Sequence, residues 1–499
     1  MRRPPPLAVA VECVVVPTSS SAPLTEGQRA RIDALVASEP ALAELARRFG
    51  DAGNDLAIVG GPVRDALMGR LGQDWDLTTN ARPDEVDRLI SGWADAVWDV
   101  GREFGTIALR KGVAHFEITT FRSDAYDASS RKPQVQFGDS LDGDLSRRDF
   151  TVNAMAVLLT RSGWEFADPH GGLADLETGI LRTPVAAGIS FGDDPLRMMR
   201  AARFVAQLGF EAHPEVVAAI TAMADRMDIV SAERVRDELV KLICGDRPVP
   251  GLRLLVETGL ADVTLPELPA LKLESDEHHR HKDVYEHSLT VLEQAIELES
   301  ARELPTAPDA VLRLAALLHD IGKPKTRRFQ PGGAVTFHHH DVVGAKIARK
   351  RLRALRFSND EVDEIARLVE LHLRFHGYGS GEWTDSAVRR YVRDAGDQLE
   401  RLHILTRADC TTRNQRKAAR LQRIYDELEE RISVLAEQEE LASLRPDLDG
   451  NQIMQILGIG PGRDVGEAYK FLLELRLDQG PLGTDAAAEA LKSWWEARR

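Results

Sequence analysis

The stretch Ala57-Ile-Val-Gly-Gly-Pro-Val-Arg-Asp-Ala-Leu67 begins as an apolar run and changes character at Gly60 and Gly61. The residues before the glycines favour a strand, and Pro62 favours a helix start because its missing N–H costs nothing in the first turn. Glycine lets a backbone approach a phosphate closely, and the amides at a helix start can bind anionic oxygen. Arg64 adds a forked donor suited to a triphosphate. Gly60, Gly61 and Arg64 are therefore predicted to bind a nucleotide.

A pair of aspartates follows in Asp74-Trp-Asp-Leu-Thr78. On a strand, side chains at i and i+2 project from the same face, so the carboxylates of Asp74 and Asp76 are predicted to lie together. Two adjacent negative charges favour a cation, and Mg²⁺ binds such oxygens while keeping positions open for phosphate oxygens. An isolated pair of this kind is more often a solvated acidic turn. Beside the glycines and Arg64, it instead indicates a magnesium site that activates a 3′-hydroxyl and stabilises leaving pyrophosphate.

The segment from Gly60 to Thr79 resembles the bacterial and eukaryotic (class II) type of tRNA nucleotidyltransferases and poly(A) polymerases. Two further blocks are similar to that family, Glu117-Ile-Thr-Thr-Phe-Arg122 and Arg147-Arg-Asp-Phe-Thr-Val-Asn-Ala154. The resemblance implies that Glu117 is a third catalytic carboxylate beside the two aspartates. It also implies that Arg148 binds the nucleotide.

A fourth block, Asp193-Asp-Pro-Leu-Arg-Met-Met-Arg-Ala-Ala-Arg-Phe204, is similar to the segment with which this family selects the incoming base. On one helix, Asp194 and Arg197 at i and i+3 would share a face. They would offer an acceptor and a forked donor to the Watson–Crick edge of cytosine or adenine. Arg200 and Arg203 would continue this face of the helix toward the phosphates.

Histidines are concentrated in the second half of the chain, where ten of the fourteen fall between His278 and His376. They include a histidine in Val284-Tyr-Glu-His287 and an adjacent His-Asp pair in Leu317-Leu-His-Asp-Ile-Gly-Lys323, and Arg407-Ala-Asp409 adds a distant aspartate. Imidazole and carboxylate together suit a first-row divalent metal. The order resembles the HD superfamily of metal-dependent phosphohydrolases. That resemblance implies four metal ligands, and two histidines that extend the site to a second metal: His287, His319, Asp320 and Asp409, then His340 and His372.

The periodicity of apolar residues changes along the chain. Short β-prone runs mix with helical stretches from Leu56 to about Leu181, whereas helical spacing dominates after Asp193, a pattern that predicts an α+β fold. With the resemblances, the architecture is a small mixed β-sheet nucleotidyltransferase head, an all-helical neck, an HD-type body and a helical tail. The predicted bounds are 1–25 for a loose N-terminal extension, 26–182 for the head, 183–272 for the neck, 273–415 for the HD domain and 416–499 for the tail.

The composition limits the partners and the cellular environment that can be expected. The formal charge of −15 argues against a protein coated in basic residues for nonspecific nucleic-acid binding, although a local basic surface is compatible with it. The three cysteines, Cys13, Cys244 and Cys410, lie too far apart for a CxxC pair, which favours a reducing, cytoplasmic environment. No apolar run approaches the roughly 20 residues that span a bilayer. No membrane partner is predicted.

These features together predict a CCA-adding tRNA nucleotidyltransferase, which adds C, C and A from CTP and ATP to the tRNA 3′ end without a nucleic-acid template. A poly(A) polymerase, or an enzyme that adds only CC or only A, shares the same head motifs. The Asp194/Arg197 pair and a flexible loop from Tyr126 to Phe137 favour full CCA addition. A different class also remains open, an HD-type metal-dependent phosphohydrolase whose head has become an RNA-binding module.

Overall fold

The computed structural model describes residues 23–101, 105–125, 134–138, 140–273, 283–331, 335–375, 383–411, 415–439 and 445–498. The chain divides into two compact units, Met1–Val230 and Ser231–Arg499, here named the head unit and the helical unit. Most of the N-terminal extension predicted for 1–25, and residues 126–133 of the predicted flexible loop, lie outside the described residues. Both remain predictions.

The head unit contains eleven strands and nine helices among its described residues. The strands are β1 Leu56–Val59, β2 Asp74–Thr79, β3 Ala96–Gly101, β4 Thr106–Lys111, β5 Ala114–Thr120, β6 Arg122–Ala125, β7 Gln134–Phe137, β8 Ala156–Thr160, β9 Gly163–Ala167, β10 Ile180–Leu181 and β11 Glu211–Ala212. The helices are α1 Glu26–Ala37, α2 Ala41–Asp51, α3 Gly61–Leu67, α4 Pro83–Ile90, α5 Leu141–Ser146, α6 Gly172–Thr178, α7 Ala187–Asp193, α8 Leu196–Leu208 and α9 Pro214–Met223.

Seven of these strands form one sheet in the order β3-β4-β5-β2-β1-β8-β9. Strands β2 and β5 pair in parallel, whereas β1 pairs with both β2 and β8 in antiparallel fashion. The sheet is therefore mixed, as the sequence predicts. The helix that follows the two glycines, α3, connects the neighbouring strands β1 and β2, so the glycine turn and the aspartate pair lie on adjacent strands.

The two faces of this sheet have different environments. On β5 the burial alternates strictly from Ala114 to Ile118, with Phe116 and Ile118 buried in the main core and His115 and Glu117 exposed. Helices α1 to α4 contribute apolar side chains to that core, and burial of a side chain such as Phe116 contributes about 2–3 kcal/mol. On the opposite face a smaller cluster around Leu145 covers β1 and β8. The opposite face of β2 and β5 is left to polar side chains.

The helical unit is almost entirely α-helical. Its helices are α10 Ala232–Ile243, α11 Pro248–Glu257, α12 Leu260–Thr264, α13 Val284–Ala301, α14 Ala310–Leu318, α15 Lys323–Thr326, α16 His340–Ala354, α17 Asn359–Leu371, α18 Asp385–Ala395, α19 Leu399–Ala408, α20 Gln415–Glu439, α21 Gly450–Leu457, α22 Arg463–Gln479 and α23 Thr484–Glu496. Its strands are β12 Arg328–Phe329 and β13 Val335–Thr336. Among the described residues after Asp193, the two-residue strands β11, β12 and β13 interrupt the predominantly helical pattern predicted there.

A buried ion pair connects three helices of this unit. Arg313 on α14 donates from Nε to Glu299 Oε2 on α13 at 2.7 Å, and both side chains are almost fully buried. The same guanidinium donates from Nη1 to the carbonyls of Ile243 and Gly245, each at 3.1 Å. The carbonyls that end α10 are thus satisfied by a side chain of α14.

Two compositional expectations can be compared with the described residues. Cys244 and Cys410 are free thiols. Across the described ranges, no helix is both long enough and apolar enough to cross a membrane.

Candidate active site and metal centre

The three acidic residues singled out in the head occupy one face of the sheet. Strands β2 and β5 align so that Asp76 is opposite Glu117 and Asp74 is opposite His115. Paired residues of neighbouring strands project to the same side, and all four are exposed. The prediction that Asp74 and Asp76 share a face is confirmed. The parallel register, which the sequence could not supply, adds Glu117 to them.

These carboxylates perturb one another. Partial burial of its carboxyl group raises the pKa of Asp76, and Asp74 adds to the increase while Arg148 opposes it. Burial also raises the pKa of Glu117, with further increases from Asp76 and Asp74. A cation among these oxygens would relieve the repulsion, so the charge of the donor set fits a divalent metal.

Gly60 brings the backbone against this site. Its φ of 73° lies in the region that side chains rarely adopt, and a Cβ there would lie 3.1 Å from Nη1 of Arg148 and 3.7 Å from Oδ2 of Asp76. The conformation therefore favours glycine, and a side chain here would press on Arg148. Helix α3 begins immediately afterwards at Gly61, with Pro62 in its first turn.

Arg64 is already engaged within the head. Its Nε and Nη2 donate to the carboxylate of Asp65 at 2.8 and 2.9 Å, and its Nη1 donates to Oδ1 of Asn153 at 2.6 Å. The guanidinium also lies 5.3 Å from the centroid of the Phe204 ring. The structure thus gives Arg64 protein partners at the place where the sequence predicted a triphosphate contact.

Two buried aspartates hold the arginine-rich segment that begins at Arg147. Asp144 accepts from Arg147 at 2.7 Å and from Arg148 at 3.3 Å. Asp149 accepts from Nε of Arg200 at 2.7 Å. Burial opposes ionisation of Asp149, but the charge of Arg200 and the hydrogen bonds from Asn153 and Arg200 lower its pKa to about 2. Asp149 is therefore a permanent anion at neutral pH.

The proposed base selector has a different geometry from the predicted one. Asp194 has extended backbone angles (φ −138°, ψ 100°) at the end of α7, whereas Arg197 lies in α8. The prediction that both occupy one helix face is wrong, because Pro195 starts a new helix between them. Arg197 Nη1 donates to Oγ of Ser190 at 2.8 Å and Nη2 donates to the carbonyl of Arg147 at 2.5 Å.

The two later arginines of α8 also contact protein. Arg200 forms the ion pair with Asp149, and Arg203 lies 4.3 Å from the centroid of the Phe204 ring. Arg200 and Arg197 therefore attach α8 to the segment 147–149. This attachment places α8 against the same segment whose Arg148 lies beside Gly60.

The helical unit brings His287, His319, Asp320 and Asp409 together from three helices. His287 lies on α13, His319 and Asp320 follow α14, and Asp409 ends α19. Nε2 of His287 lies 2.9 Å from Oδ1 of Asp409 and 3.4 Å from Nε2 of His319. The ligand atoms of His287, His319 and Asp409 all lie within 4.8 Å of one another.

A second group adjoins the first. Asp320, His340 and His372 likewise have ligand atoms within 4.8 Å of one another, and all three are buried. Oδ2 of Asp320 lies 3.2 Å from Nε2 of His319, whereas Oδ1 lies 3.2 Å from Nε2 of His340. The Asp320 carboxylate therefore bridges the two groups.

Three of these histidines are oriented in the same way. The Nδ1–H of His319, His340 and His372 donates to the carbonyl three residues earlier, at 2.8, 2.9 and 2.6 Å. Such a bond fixes the tautomer and leaves Nε2 as the ligand atom. Each of these rings therefore presents Nε2 to the cluster.

Electrostatics in this cluster favour a cation. Burial opposes ionisation of Asp409, but the hydrogen bond from His287 and the charge of His319 lower its pKa. Burial lowers the pKa of His372 to about 3, so this ring is neutral, as a metal ligand must be. Burial would also lower the pKa of His319, but Asp320 raises it to about 9, so without a metal this ring carries a positive charge that a bound ion would replace. The donor set thus fits divalent metals with nitrogen and oxygen ligands.

Sequence reasoning missed several residues that support these sites. Asn153 connects Arg64 with Asp149 by accepting from one and donating to the other. Nζ of Lys323 lies 2.8 Å from Oδ2 of Asp320, and Thr411 lies within hydrogen-bond distance of His287. Asn153 and Lys323 stand inside motifs quoted above, and the i, i+3 spacing of Asp320 and Lys323 was the available signal.

Comparison with family models divides the chain into three matching regions. A model described as the poly A polymerase head domain matches residues 56–182, one described as the probable RNA and SrmB- binding site of polymerase A matches 209–271, and the HD domain matches 284–414. An A-adding tRNA nucleotidyltransferase of Deinococcus radiodurans is 33% identical over 453 residues, covering 88% of this chain and 95% of that protein. The chain belongs to this nucleotidyltransferase family. It is therefore a nucleotidyltransferase with an HD domain.

Two other similarities span the same length. A CC-adding tRNA nucleotidyltransferase of Thermus thermophilus is 32% identical over 471 residues, covering 89% of this chain and 94% of that protein. The crystal structure of the Bacillus stearothermophilus CCA-adding enzyme in complex with CTP superposes with a TM-score of 0.64 at 25% identity, covering 91% of this nucleotidyltransferase and 97% of that chain. The α+β head and helical body are therefore the architecture of this family.

Proposed function

We propose that this nucleotidyltransferase adds C, C and A from CTP and ATP to the 3′ end of tRNA without a nucleic-acid template. The observation that carries the proposal is the attachment of α8 to the reaction centre. Arg197 and Arg200 bind Arg147 and Asp149, respectively. Arg148, between these two residues, lies beside Gly60 and Asp76. A residue that reads the base and residues that hold the phosphates are thereby built on one rigid framework.

In this proposal Asp74 and Asp76 hold Mg²⁺, and Glu117 shares their face. The bound ion supplies Lewis-acid activation of the 3′-hydroxyl and charge compensation for pyrophosphate. The tRNA 3′-oxygen forms a bond to the α-phosphorus, and the bond from that phosphorus to pyrophosphate breaks. In this scheme Glu117, which shares the face of the two metal-binding aspartates, accepts the hydroxyl proton.

The nucleotide is bound by the glycine turn at Gly60 and Gly61 and by nearby arginines. The backbone at Gly60 and Gly61 lets phosphates approach, and Arg148 has a buried Nε without a hydrogen-bond partner among the described residues. Asp194, just after the end of α7, supplies an acceptor for the base, and Arg197, in α8, supplies a donor. Arg64, Arg200 and Arg203 act mainly by holding the framework, through Asn153, Asp149 and the Phe204 ring.

The product identifies the enzyme among its relatives, because the similar Deinococcus and Thermus proteins are named as A-adding and CC-adding. The test uses tRNA that ends before CCA, tRNA that ends in CC, and labelled CTP and ATP, alone and together. We expect two additions with CTP alone, one addition of A to the CC-ended tRNA, and three additions with both nucleotides. Addition of more than one A would instead indicate a poly(A) polymerase. If only two C residues are added when both nucleotides are present, the protein is a CC-adding enzyme. If only one A is added, it is an A-adding enzyme.

We propose a second activity for the HD domain, metal-dependent phosphoester hydrolysis. It is supported by the two ligand groups that share Asp320. His287, His319 and Asp409 would hold one divalent ion and His340 and His372 the second. Bound ions of this kind supply a nucleophilic hydroxide and stabilise charge on phosphate. Lys323, beside Asp320, adds a cation for the phosphate group.

The HD proposal predicts a loss confined to one activity. Asp320→Ala should reduce Mn²⁺- or Ni²⁺-dependent hydrolysis of a 2′,3′-cyclic nucleotide to its phosphomonoester by about 10²-fold or more, because it removes the bridging ligand. Nucleotide incorporation should change less than twofold. His338→Gln is the matched control, since this exposed histidine is near the cluster in sequence but not in either ligand group. Equal hydrolysis by wild type and Asp320→Ala would refute the second activity.

A further inference from the structure

A stacked pair of aromatic rings, Trp98 and His115, lies on the same face of the head sheet as the three carboxylates. Trp98 on the edge strand β3 and His115 on β5 stack with ring centroids 6.1 Å apart and planes 12° apart. Trp98 is 44% exposed, a large exposed fraction for a residue type that is highly buried on average. No sequence motif quoted above contains either residue.

Two rows of paired residues across neighbouring strands connect this aromatic pair to the reaction centre. In one row Asp76 is opposite Glu117, Glu117 is opposite Ala108, and Ala108 is opposite Trp98. All four side chains therefore project from one face of the sheet. Ala108 is the residue between Trp98 and Glu117 in this row, and its side chain is only a methyl group. No large side chain of the row therefore separates the Trp98 ring from Glu117.

The second row adds a positive charge. Asp74 is opposite His115, and His115 is opposite Arg110, which is exposed. The side chains of β4 and β5 that point the other way, including Leu109 and Phe116, are buried in the main core. An aromatic surface and a guanidinium therefore adjoin the carboxylates on their β4–β3 side.

The nucleotide-binding elements occupy the opposite side of the carboxylates. In the sheet order β3-β4-β5-β2-β1-β8-β9, Gly60 follows β1 and Arg148 lies against Gly60, whereas Trp98 is on the far edge. A transfer reaction requires two reactants that meet at the metal-binding residues. If the triphosphate approaches from the β1 side, the β3 side is left for the RNA that carries the attacking hydroxyl.

We propose that Trp98 and His115 form a stacking platform for an unpaired base of the RNA primer just upstream of its 3′-hydroxyl, with Arg110 beside the adjoining phosphate. This inference rests on the proposed tRNA substrate and specifies how its 3′ end is held. Two strand spacings separate β3 from β5, roughly 10 Å, which is about the rise of three stacked nucleotides. Stacking is tolerant of base identity, so one platform can serve a 3′ end whose last base changes as nucleotides are added.

The test compares Trp98→Ala, Trp98→Phe and Val97→Ala in the full-length enzyme. Val97 is 48% exposed on the same strand but pairs with Leu109 on the core face, so it controls for disturbance of the edge strand. With tRNA lacking CCA, Trp98→Ala should raise the KM for RNA about tenfold and change the KM for CTP less than twofold. Trp98→Phe should recover most of the loss because phenylalanine retains a stacking face, and Val97→Ala should resemble wild type.

A tRNA in which only the unpaired 3′-terminal nucleotides lack bases makes the test specific. Removing the bases should weaken the wild-type enzyme about tenfold, and Trp98→Ala should then cost nothing further. An unchanged KM for RNA in Trp98→Ala, an equal loss with abasic and normal tRNA, or an increase in the KM for CTP instead would each overturn the platform. Incorporation by wild type with no effect of Trp98→Ala leaves the proposed function standing, whereas no incorporation by wild type on any tRNA refutes the proposed function itself.

Discussion

Asp76→Asn is expected to lower the rate of nucleotide incorporation into tRNA by about 10³-fold or more. Asparagine keeps the shape of the side chain but removes the charge that holds a divalent ion beside the reacting phosphorus, and such an ion is worth several kcal/mol in the transition state. Single-turnover incorporation of labelled CTP measures the effect. Glu117 and Asp74 remain on the same face, so the RNA and nucleotide sites are otherwise undisturbed.

The same substitution should not destabilise the protein. Burial and Asp74 raise the pKa of Asp76 above its ordinary value, so the ionised group opposes folding at neutral pH. Asp76→Asn removes that penalty, and its melting temperature should equal or exceed that of wild type. Glu165→Gln is the control, because Glu165 is an exposed carboxylate on β9 of the same sheet. Retention of normal incorporation by Asp76→Asn would exclude the proposed metal site.

Arg313→Ala is expected to lower the free energy of unfolding of the helical unit by about 3–5 kcal/mol. The substitution leaves the fully buried Glu299 carboxylate without its guanidinium, and removing one partner of a buried pair costs this much. It also removes the donors to the carbonyls of Ile243 and Gly245 at the end of α10. Calorimetry should show a transition lowered by about 10 °C.

A surface ion pair of the same unit provides the control for this effect. Arg253 and Glu286 pair at 2.6 Å with side chains 40% and 48% exposed, so Arg253→Ala should cost less than about 1 kcal/mol. The double variant Glu299→Met/Arg313→Met should recover much of the stability, since it removes both charges. If Arg313→Ala and Arg253→Ala were equally destabilising, the buried pair would not have the structural role assigned to it.

Short-range features of the chain were predictable because local physics determines them. Asp74 and Asp76 share a face because a strand repeats every two residues, and α3 begins at the glycines because Pro62 is compatible with a first turn. Leu421, Ile424, Leu428, Ile432 and Leu435 recur at helical spacing, which agrees with α20. The HD ligand set was predicted from motif resemblance.

The proposed base selector, Asp194 and Arg197, shows where local reasoning failed. The spacing of Asp194 and Arg197 suggests one helix, but Pro195 ends α7 and starts α8, so the two residues belong to different elements. The hydrogen-bond partners of Arg197 and Arg200 could not be predicted from the sequence either. Arg197 binds a carbonyl 50 residues earlier in the chain, and Arg200 binds an aspartate 51 residues earlier.

By itself, the sequence determined the chemistry available to this protein: a glycine turn, an acidic strand, an arginine-rich helix and a histidine cluster, each encoded within a few neighbouring residues. Only the tertiary structure decided which of these groups meet. Strand register aligned Glu117 with Asp76 and extended that row to Trp98. Helix packing divided the HD residues into two groups, and Asp320 of the second group contacts His319 of the first. The physical reason is that strand pairing and helix packing depend on the burial of many apolar side chains together, which no short segment encodes.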